Sequence, residues 1–237
     1  MKRIATLVML AVTAATTATA EDKVEGTLAT DIVSQYIWRG TDCGNAAIQP
    51  TLGIGWKGLS LNAWGSVGLT SASDTRELDL TLGYSVKGFN VGITDYWFSV
   101  GNEKYGRYFL YKNGKTNHVF EGNVGYDFGP VSIQWYTNFA GNDGANGDGN
   151  RAYSSYVELA APFNLVKCQW TATVGAVPYA TTYYGTGGFA VTNISLKACK
   201  SFSIKDKVDI PIYATLTANP RTQHMYLTAG FAIRPKL

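Results

Sequence analysis

Between His118 and Gly141 the chain reads HVFEGNVGYDFGPVSIQWYTNFAG, and on both sides of Gly129-Pro130 it alternates apolar and polar residues with a period of two. Phe120, Gly122, Val124, Tyr126 and Phe128 share one face, and Glu121, Asn123, Gly125 and Asp127 share the other. After the turn, Val131, Ile133, Trp135, Thr137 and Phe139 oppose Ser132, Gln134, Tyr136 and Asn138. Successive side chains of a strand point to opposite faces, so this stretch predicts a β-hairpin with one apolar and one polar surface. In a water-soluble sandwich the apolar surface turns inward. In a membrane barrel it turns outward to lipid, and the polar surface lines the lumen.

The remainder of the chain bears on that choice. From Val24 onward twelve segments have strand length: 24–38, 47–56, 59–70, 76–86, 89–99, 118–128, 131–140, 152–162, 165–177, 189–199, 208–218 and 223–233. Each is near the span of a tilted transmembrane strand. Tight connections at Lys57-Gly58, Lys87-Gly88, Gly129-Pro130 and Phe163-Asn164, and a polar one at 200–207, follow the even-numbered segments. Longer connections at 39–46, 100–117, 141–151 and 178–188 follow odd-numbered ones, with shorter exceptions at 71–75 and 219–222. An up-and-down barrel alternates short periplasmic turns with longer outer loops, whereas a Greek-key sandwich has no reason to. An even strand number leaves both termini on the periplasmic side, and closure removes edges that lipid cannot solvate.

Alanine and glycine recur on the apolar faces, as in Leu59, Leu61, Ala63, Gly65, Val67 and Leu69, which suits lipid better than a core that must be filled. Aromatic residues gather at strand ends. Trp56, Phe89, Phe128, Phe163 and Trp170 lie by the short turns, and Tyr36, Trp38, Tyr96, Trp97, Phe139 and Tyr179 by the long loops. Two interfacial girdles are therefore expected. Asp95 on a nominal lipid face calls for a position near the outer interface or a bulge, and Pro211 for a bulge or a strand end.

Residues 1–20 read as a secretory signal: Lys2 and Arg3, an apolar core from Ile4 to Val12, and Ala18-Thr19-Ala20 before Glu21. Its removal takes the formal charge from +3 to +1, so no basic surface for nucleic acid is indicated. The domain organisation is then a signal peptide, 1–20, and one barrel domain, 21–237. Mean hydropathy of -0.05 argues against helical spans.

The first strand, DIVSQYIWRG at 31–40, is followed by IQPTLGIGW and LSLNAWGSVGL. With Ser34, Tyr36, Trp38, Arg39, Gly40, Gln49, Pro50, Ala63 and Trp64 in place, this opening resembles the outer-membrane porins of the TorF (Gcw_chp) type. The resemblance implies an outer-membrane barrel with a transport role, and covers about the first quarter of the mature chain in detail. The last strand, with Tyr226, Leu227, Ala229, Phe231 and Ile233, is similar to a barrel-assembly signal but ends in Arg234-Pro235-Lys236-Leu237 instead of a terminal aromatic.

If the register holds, Asp31, Glu77, Asp79, Glu121, Asp127, Glu158 and Asp209 point into the lumen against Lys167 and Lys197. Carboxylates lining a pore favour cations. Alternatively these charges pair with one another, with Arg39 and with Arg151, and plug a narrow barrel. Arg39 suits either a constriction or an interfacial arginine. The expected pore-lining set is Asp31, Arg39, Glu77, Asp79, Glu121, Glu158, Lys167 and Lys197. A catalytic reading would use His118 or His224 with Ser99 or Ser154 on a lipid substrate, but no spacing singles out a triad. The glycine-rich 141–150 loop, with Asp143 and Asp148, lacks the closing glutamate of a calcium loop and reads as a flexible surface loop. No metal, cofactor or catalytic residue is expected. Cys168 and Cys199 fall near each other on neighbouring strands, either able to pair or kept apart by alternating faces, and Cys43 lies alone in an outer loop.

The whole predicts an all-β, up-and-down antiparallel barrel of about twelve strands in the bacterial outer membrane. Its expected role is a porin-like passive channel for small solutes with an acid-rich lumen, in contact with outer-membrane lipid and delivered by the barrel-assembly machinery. The alternatives are a lipid-modifying barrel enzyme and a structural or adhesive barrel with a closed lumen.

Overall fold

The computed structural model describes residues 23–71, 74–99, 106–112 and 114–237. The signal-peptide reading of 1–20 lies outside the described residues. The strands are β1 (Glu25–Val33), β2 (Tyr36–Trp38), β3 (Thr41–Gly44), β4 (Ala47–Trp56), β5 (Leu59–Gly68), β6 (Arg76–Val86) and β7 (Phe89–Ser99), then β8 (His118–Asp127), β9 (Ser132–Gly141), β10 (Ser155–Leu165), β11 (Cys168–Val177), β12 (Ala190–Ile204), β13 (Val208–Asn219) and β14 (His224–Pro235). Twelve of them, β1 and β4 to β14, form one closed antiparallel barrel, as the strand rhythm predicts. β14 closes on β1 through Gly230–Ile233 against Thr30–Val33. β2 and β3 pair only with each other.

The faces are inverted relative to a soluble protein. Leu82, Ile93, Val124, Ile133, Leu159, Val174, Leu196 and Leu216 are exposed on the outer wall, while Thr94, Gln134, Asn138, Thr171, Thr173 and Thr217 are buried inside. A closed barrel with an apolar exterior and a polar interior is built for a membrane. Trp56, Phe89, Phe128 and Phe163 are exposed beside the tight turns, where the inner girdle was expected. The outer girdle is corrected in part: Trp97, Phe139 and Tyr179 stay on the wall or its rim, but Tyr36, Trp38 and Tyr96 turn into the lumen.

Lys57-Gly58 and Lys87-Gly88 make the expected two-residue turns, with φ of 48° and 85°, and of 49° and 86°. Two other connections differ from expectation. β10 runs on to Leu165, so the turn is Val166-Lys167, with φ of 51° and 59°, not Phe163-Asn164. β12 continues to Ile204 and turns at Lys205-Asp206, with φ of 49° and 53°, so 200–207 is not an open loop. In both turns two residues other than glycine occupy the left-handed region, which hides the usual sequence signal.

The strand prolines sit where a ladder lapses. Pro211 falls between the pairs Asp209↔Arg234 and Ile212↔Phe231, and Pro50 between Ile48↔Val67 and Thr51↔Trp64. A missing donor is tolerated there. Cys199 pairs with Gln169, placing Cys168 one residue away on the opposite face, and all three cysteines are free. Alkylation of the unfolded, unreduced protein is therefore expected to label three thiols by intact mass. Labelling of only one would show a disulfide. In the folded protein Cys43, on the β2–β3 hairpin, is expected to react slowly with maleimide, because burial, followed by the charges of Glu77 and Asp42, pushes its thiol up and keeps it protonated.

Candidate functional site: a hairpin inside the lumen

The first strand does not reach Trp38 along the wall. β1 ends at Val33, and Ser34 is bound to Ala229 in both directions: its amide donates to the Ala229 carbonyl at 2.8 Å, and its Oγ accepts from the Ala229 amide at 2.9 Å. Beyond it the chain turns inward, and β2 and β3 form a short hairpin within the barrel, tipped by Arg39 and Gly40 at φ of 51° and 78°. Gly40 is obligatory at this tip. A Cβ there would run into the Thr192 carbonyl oxygen of β12, and the Gly40 carbonyl accepts from Asn219 Nδ2 of β13 at 2.9 Å. Tyr36, Ile37 and Trp38 are apolar in succession, a local break in alternation that does not say whether the chain stays on the wall or turns inward.

Arg39 locks the hairpin to the far wall. Nη1 donates to Glu121 Oε2 at 2.6 Å and to the Tyr184 hydroxyl at 2.5 Å, and Nη2 donates to Glu121 Oε1 at 2.9 Å. Its guanidinium carbon lies 4.0 Å from the Tyr136 ring centre, 4.3 Å from Trp38 and 4.8 Å from Tyr156. A bidentate ion pair combined with cation–π contacts in a buried setting is a specific arrangement that lysine cannot reproduce. Glu121 also accepts from the Tyr96 hydroxyl at 2.9 Å. Trp38 stacks on Tyr184 at 6.0 Å and meets Tyr96 edge-on at 5.9 Å, while Tyr36 packs on Trp64 at 5.6 Å. The interior hydrophobic cluster of Tyr136, Tyr156, Val177 and Tyr184 thus packs around a charged keystone.

The return limb is tied to the β5–β6 connection. Asn45 Nδ2 donates to Asp74 Oδ1 at 3.0 Å, and Asp74 Oδ2 accepts from the amides of Thr70 and Ser71 and the Thr70 hydroxyl. Desolvation raises the Asp74 carboxyl, but these donors together outweigh it and hold it below the usual carboxylate range. The tether is therefore complete at neutral pH and weakens as acid protonates Asp74.

Two further segments, 141–151 and 178–188, are cross-linked at the same end of the barrel. The Ala145 amide donates to Thr182 Oγ1 at 2.8 Å, the Thr182 amide to the Ala145 carbonyl at 2.9 Å, and the Ser154 and Thr181 hydroxyls bond at 2.5 Å. Asp143 accepts from Asn138 Nδ2 and from the Gly144 and Ser154 amides. The glycine-rich loop is thus a cross-linked lid over β9 to β12, where the sequence reads as a flexible surface loop.

Below the hairpin lies a cavity of about 450 Å³ that runs from Arg39 and Trp38 down to the Lys57-Gly58 turn. Asp31, Arg39, Asp79, Glu158 and Lys197 line it. Glu77 and Glu121 also face inward but are buried against the hairpin. Lys167 is corrected: it stands exposed in the β10–β11 turn, because β10 runs three residues further than expected. Asp127 caps its own turn, accepting from the Gly129 amide, and Asp209 accepts from Ser203 and pairs with Lys236, so neither lines the cavity. Arg39 neutralises Glu121. Lys197 sits 4.0 Å over the Tyr213 ring, whose hydroxyl donates to Asp31 at 2.8 Å. Glu158 accepts from the Tyr156 hydroxyl at 2.8 Å. Among the expected interior residues, Glu77, Asp79 and Glu158 thus remain beyond the two cations that face them. Sequence reasoning assigned Tyr136, Tyr156 and Tyr184 no role, and nothing local in the sequence marks them, since they converge on Arg39 only once the barrel closes.

Fold and interior together define a membrane β-barrel whose lumen is narrowed by its own first loop. The family model described as "Bacterial protein of unknown function (Gcw_chp)" matches residues 17–203, and the chain belongs to that family. Among solved structures it is similar to "Salmonella typhi OmpF complex with Daunomycin", at TM-score 0.37 and 9% identity over 92% of this chain and 98% of that one. It is also similar to "CdiB from Acinetobacter baumannii", at 0.41 and 11% over 90% and 60%. A "Bacterial polysaccharide outer membrane secretin" matches at 0.44 and 8% over 91% and 99%. No curated protein matches the sequence.

Proposed function

We propose that this protein is an outer-membrane, porin-like passive channel for small polar solutes, with the β2–β3 hairpin as its constriction. The observation that carries the reading is the cavity of about 450 Å³ below the hairpin. A barrel of about eight strands is narrow enough for side chains to fill, whereas twelve strands enclose a wider interior, and here part of it stays open below the hairpin. The inward acids Asp79 and Glu158 on its walls favour cations over anions. A lipid-modifying enzyme that uses His118 is disfavoured, because that residue is fully buried with both ring nitrogens engaged. The locked hairpin and the cross-linked outer loops favour the closed-lumen reading, in which the hairpin is a permanent plug.

Single-channel recording of the refolded mature protein under a salt gradient separates the two. Discrete openings with a reversal potential of cation-preferring sign support the channel. A folded barrel that stays silent even at high voltage would overturn it.

A further inference from the structure

Asp95 and His118 project from the outer wall, on the lipid-facing side of β7 and β8, close to the ends that carry the long connection. Polar groups on that side of a barrel are costly in lipid. They are not left to lipid. His118 Nδ1 lies 2.7 Å from Asp95 Oδ1, and Nε2 lies 2.5 Å from the Tyr108 carbonyl oxygen. A carbonyl only accepts, so Nε2 carries a hydrogen. Tyr111 stacks on the imidazole at 4.3 Å, and Tyr108 meets both His118 and Trp97 edge-on at 5.1 and 5.5 Å. Residues 106–112 therefore form a strap laid over the outside of the barrel and fastened by His118.

The strap covers the polar pair but presents its own groups outward. Phe109 is 86% exposed and Tyr111 50%, and Arg107, Lys112 and Lys115 are exposed beside them. Among the described residues from Gly106 to Asn117 there is no carboxylate. Three cations flanking exposed aromatics, at the outer rim of a membrane wall, match a lipid whose headgroup carries phosphate. The cations meet the phosphate, and the aromatics lie at the interface beside the acyl chains. We infer that this strap is a docking site for a phosphorylated lipid of the outer leaflet, clamped onto the barrel by the His118–Asp95 pair. The inference rests on the membrane orientation of the barrel and is independent of whether the lumen conducts.

The test is native mass spectrometry of the detergent-solubilised mature protein, offered diphosphorylated lipid A or its fully dephosphorylated counterpart. Wild type is expected to retain the phosphorylated form preferentially. The triple variant Arg107→Gln, Lys112→Gln, Lys115→Gln should lose that retention by on the order of a hundredfold, since each cation near an anionic surface contributes roughly fivefold. His118→Phe, which frees the strap without altering its charge, should lose part of it. Heat-modifiable migration on gels confirms that each variant is folded. Equal retention of both lipids by wild type, or undiminished retention by the triple variant, would overturn the inference, whatever the bilayer recordings show.

Discussion

Replacing Arg39 by methionine is expected to release the lumen hairpin and raise single-channel conductance several-fold, with frequent transitions between levels. The arginine makes three short hydrogen bonds, two to Glu121 and one to Tyr184, and lies over three aromatic rings. Methionine keeps much of the volume but leaves the Glu121 carboxylate buried without its cation. Breaking one side of a buried pair costs roughly 3–5 kcal/mol, more than the remaining fastenings of the short 36–44 hairpin can absorb locally. Water entering to solvate Glu121 follows the path the hairpin now blocks. The double variant Arg39→Met, Glu121→Gln removes the stranded charge and should recover most of the wild-type conductance pattern, which separates the effect of the buried unpaired carboxylate from general unfolding. Gly40→Val acts on the same element by another route, since its Cβ meets the Thr192 carbonyl, and should also open the lumen. If planar-bilayer recordings of Arg39→Met matched wild type in a folded barrel, the hairpin would not be the constriction.

How far the sequence reveals this molecule depends on the range of the physics involved. Period-two alternation is local, so the twelve wall strands are legible, and β4, β6 and β7 fall within the expected limits. Asp95 on the lipid face is legible as an anomaly near the outer interface. Its partner is less so, because the strap that buries His118 joins residues from β7, β8 and the connection between them. The turns Val166-Lys167 and Lys205-Asp206 carry no glycine, and the error at the first of them misplaces Lys167. The largest miss is β2. Residues 24–38 read as one segment of strand length, and Ser34 and Gln35, followed by the apolar run Tyr36-Ile37-Trp38, are only a weak mark of where the strand leaves the wall. What draws it inward is Glu121, 82 residues away, and the aromatic ring set around it. The family resemblance rested on Ser34, Tyr36, Trp38, Arg39 and Gly40. The structure gives those positions a physical meaning: a bend, two ring contacts, a lock and a tip that must lack a side chain.

The orientation of the wall makes a second large effect expected, at the middle of β6. Leu82 is 51% exposed on the outer face opposite Ile93, while Thr81 faces the interior and shares a hydrogen bond with Thr94 at 3.0 Å. In a membrane barrel Leu82→Arg places a guanidinium near the bilayer midplane, and unfolding measured by denaturant titration in lipid vesicles should show a loss of about 2–4 kcal/mol. Thr81→Arg puts the same group into a polar, hydrated interior. Its stability should change by much less, and in a conducting channel its effect should appear as reduced cation preference. A soluble sandwich would reverse the ranking, because there the apolar face is the packed core and an exposed threonine tolerates substitution. Measuring both variants in vesicles and in detergent tests the assignment without reference to the lumen. If Leu82→Arg were silent and Thr81→Arg unfolded the protein, the apolar face would be a core, and the channel and the lipid-docking strap would fall with it.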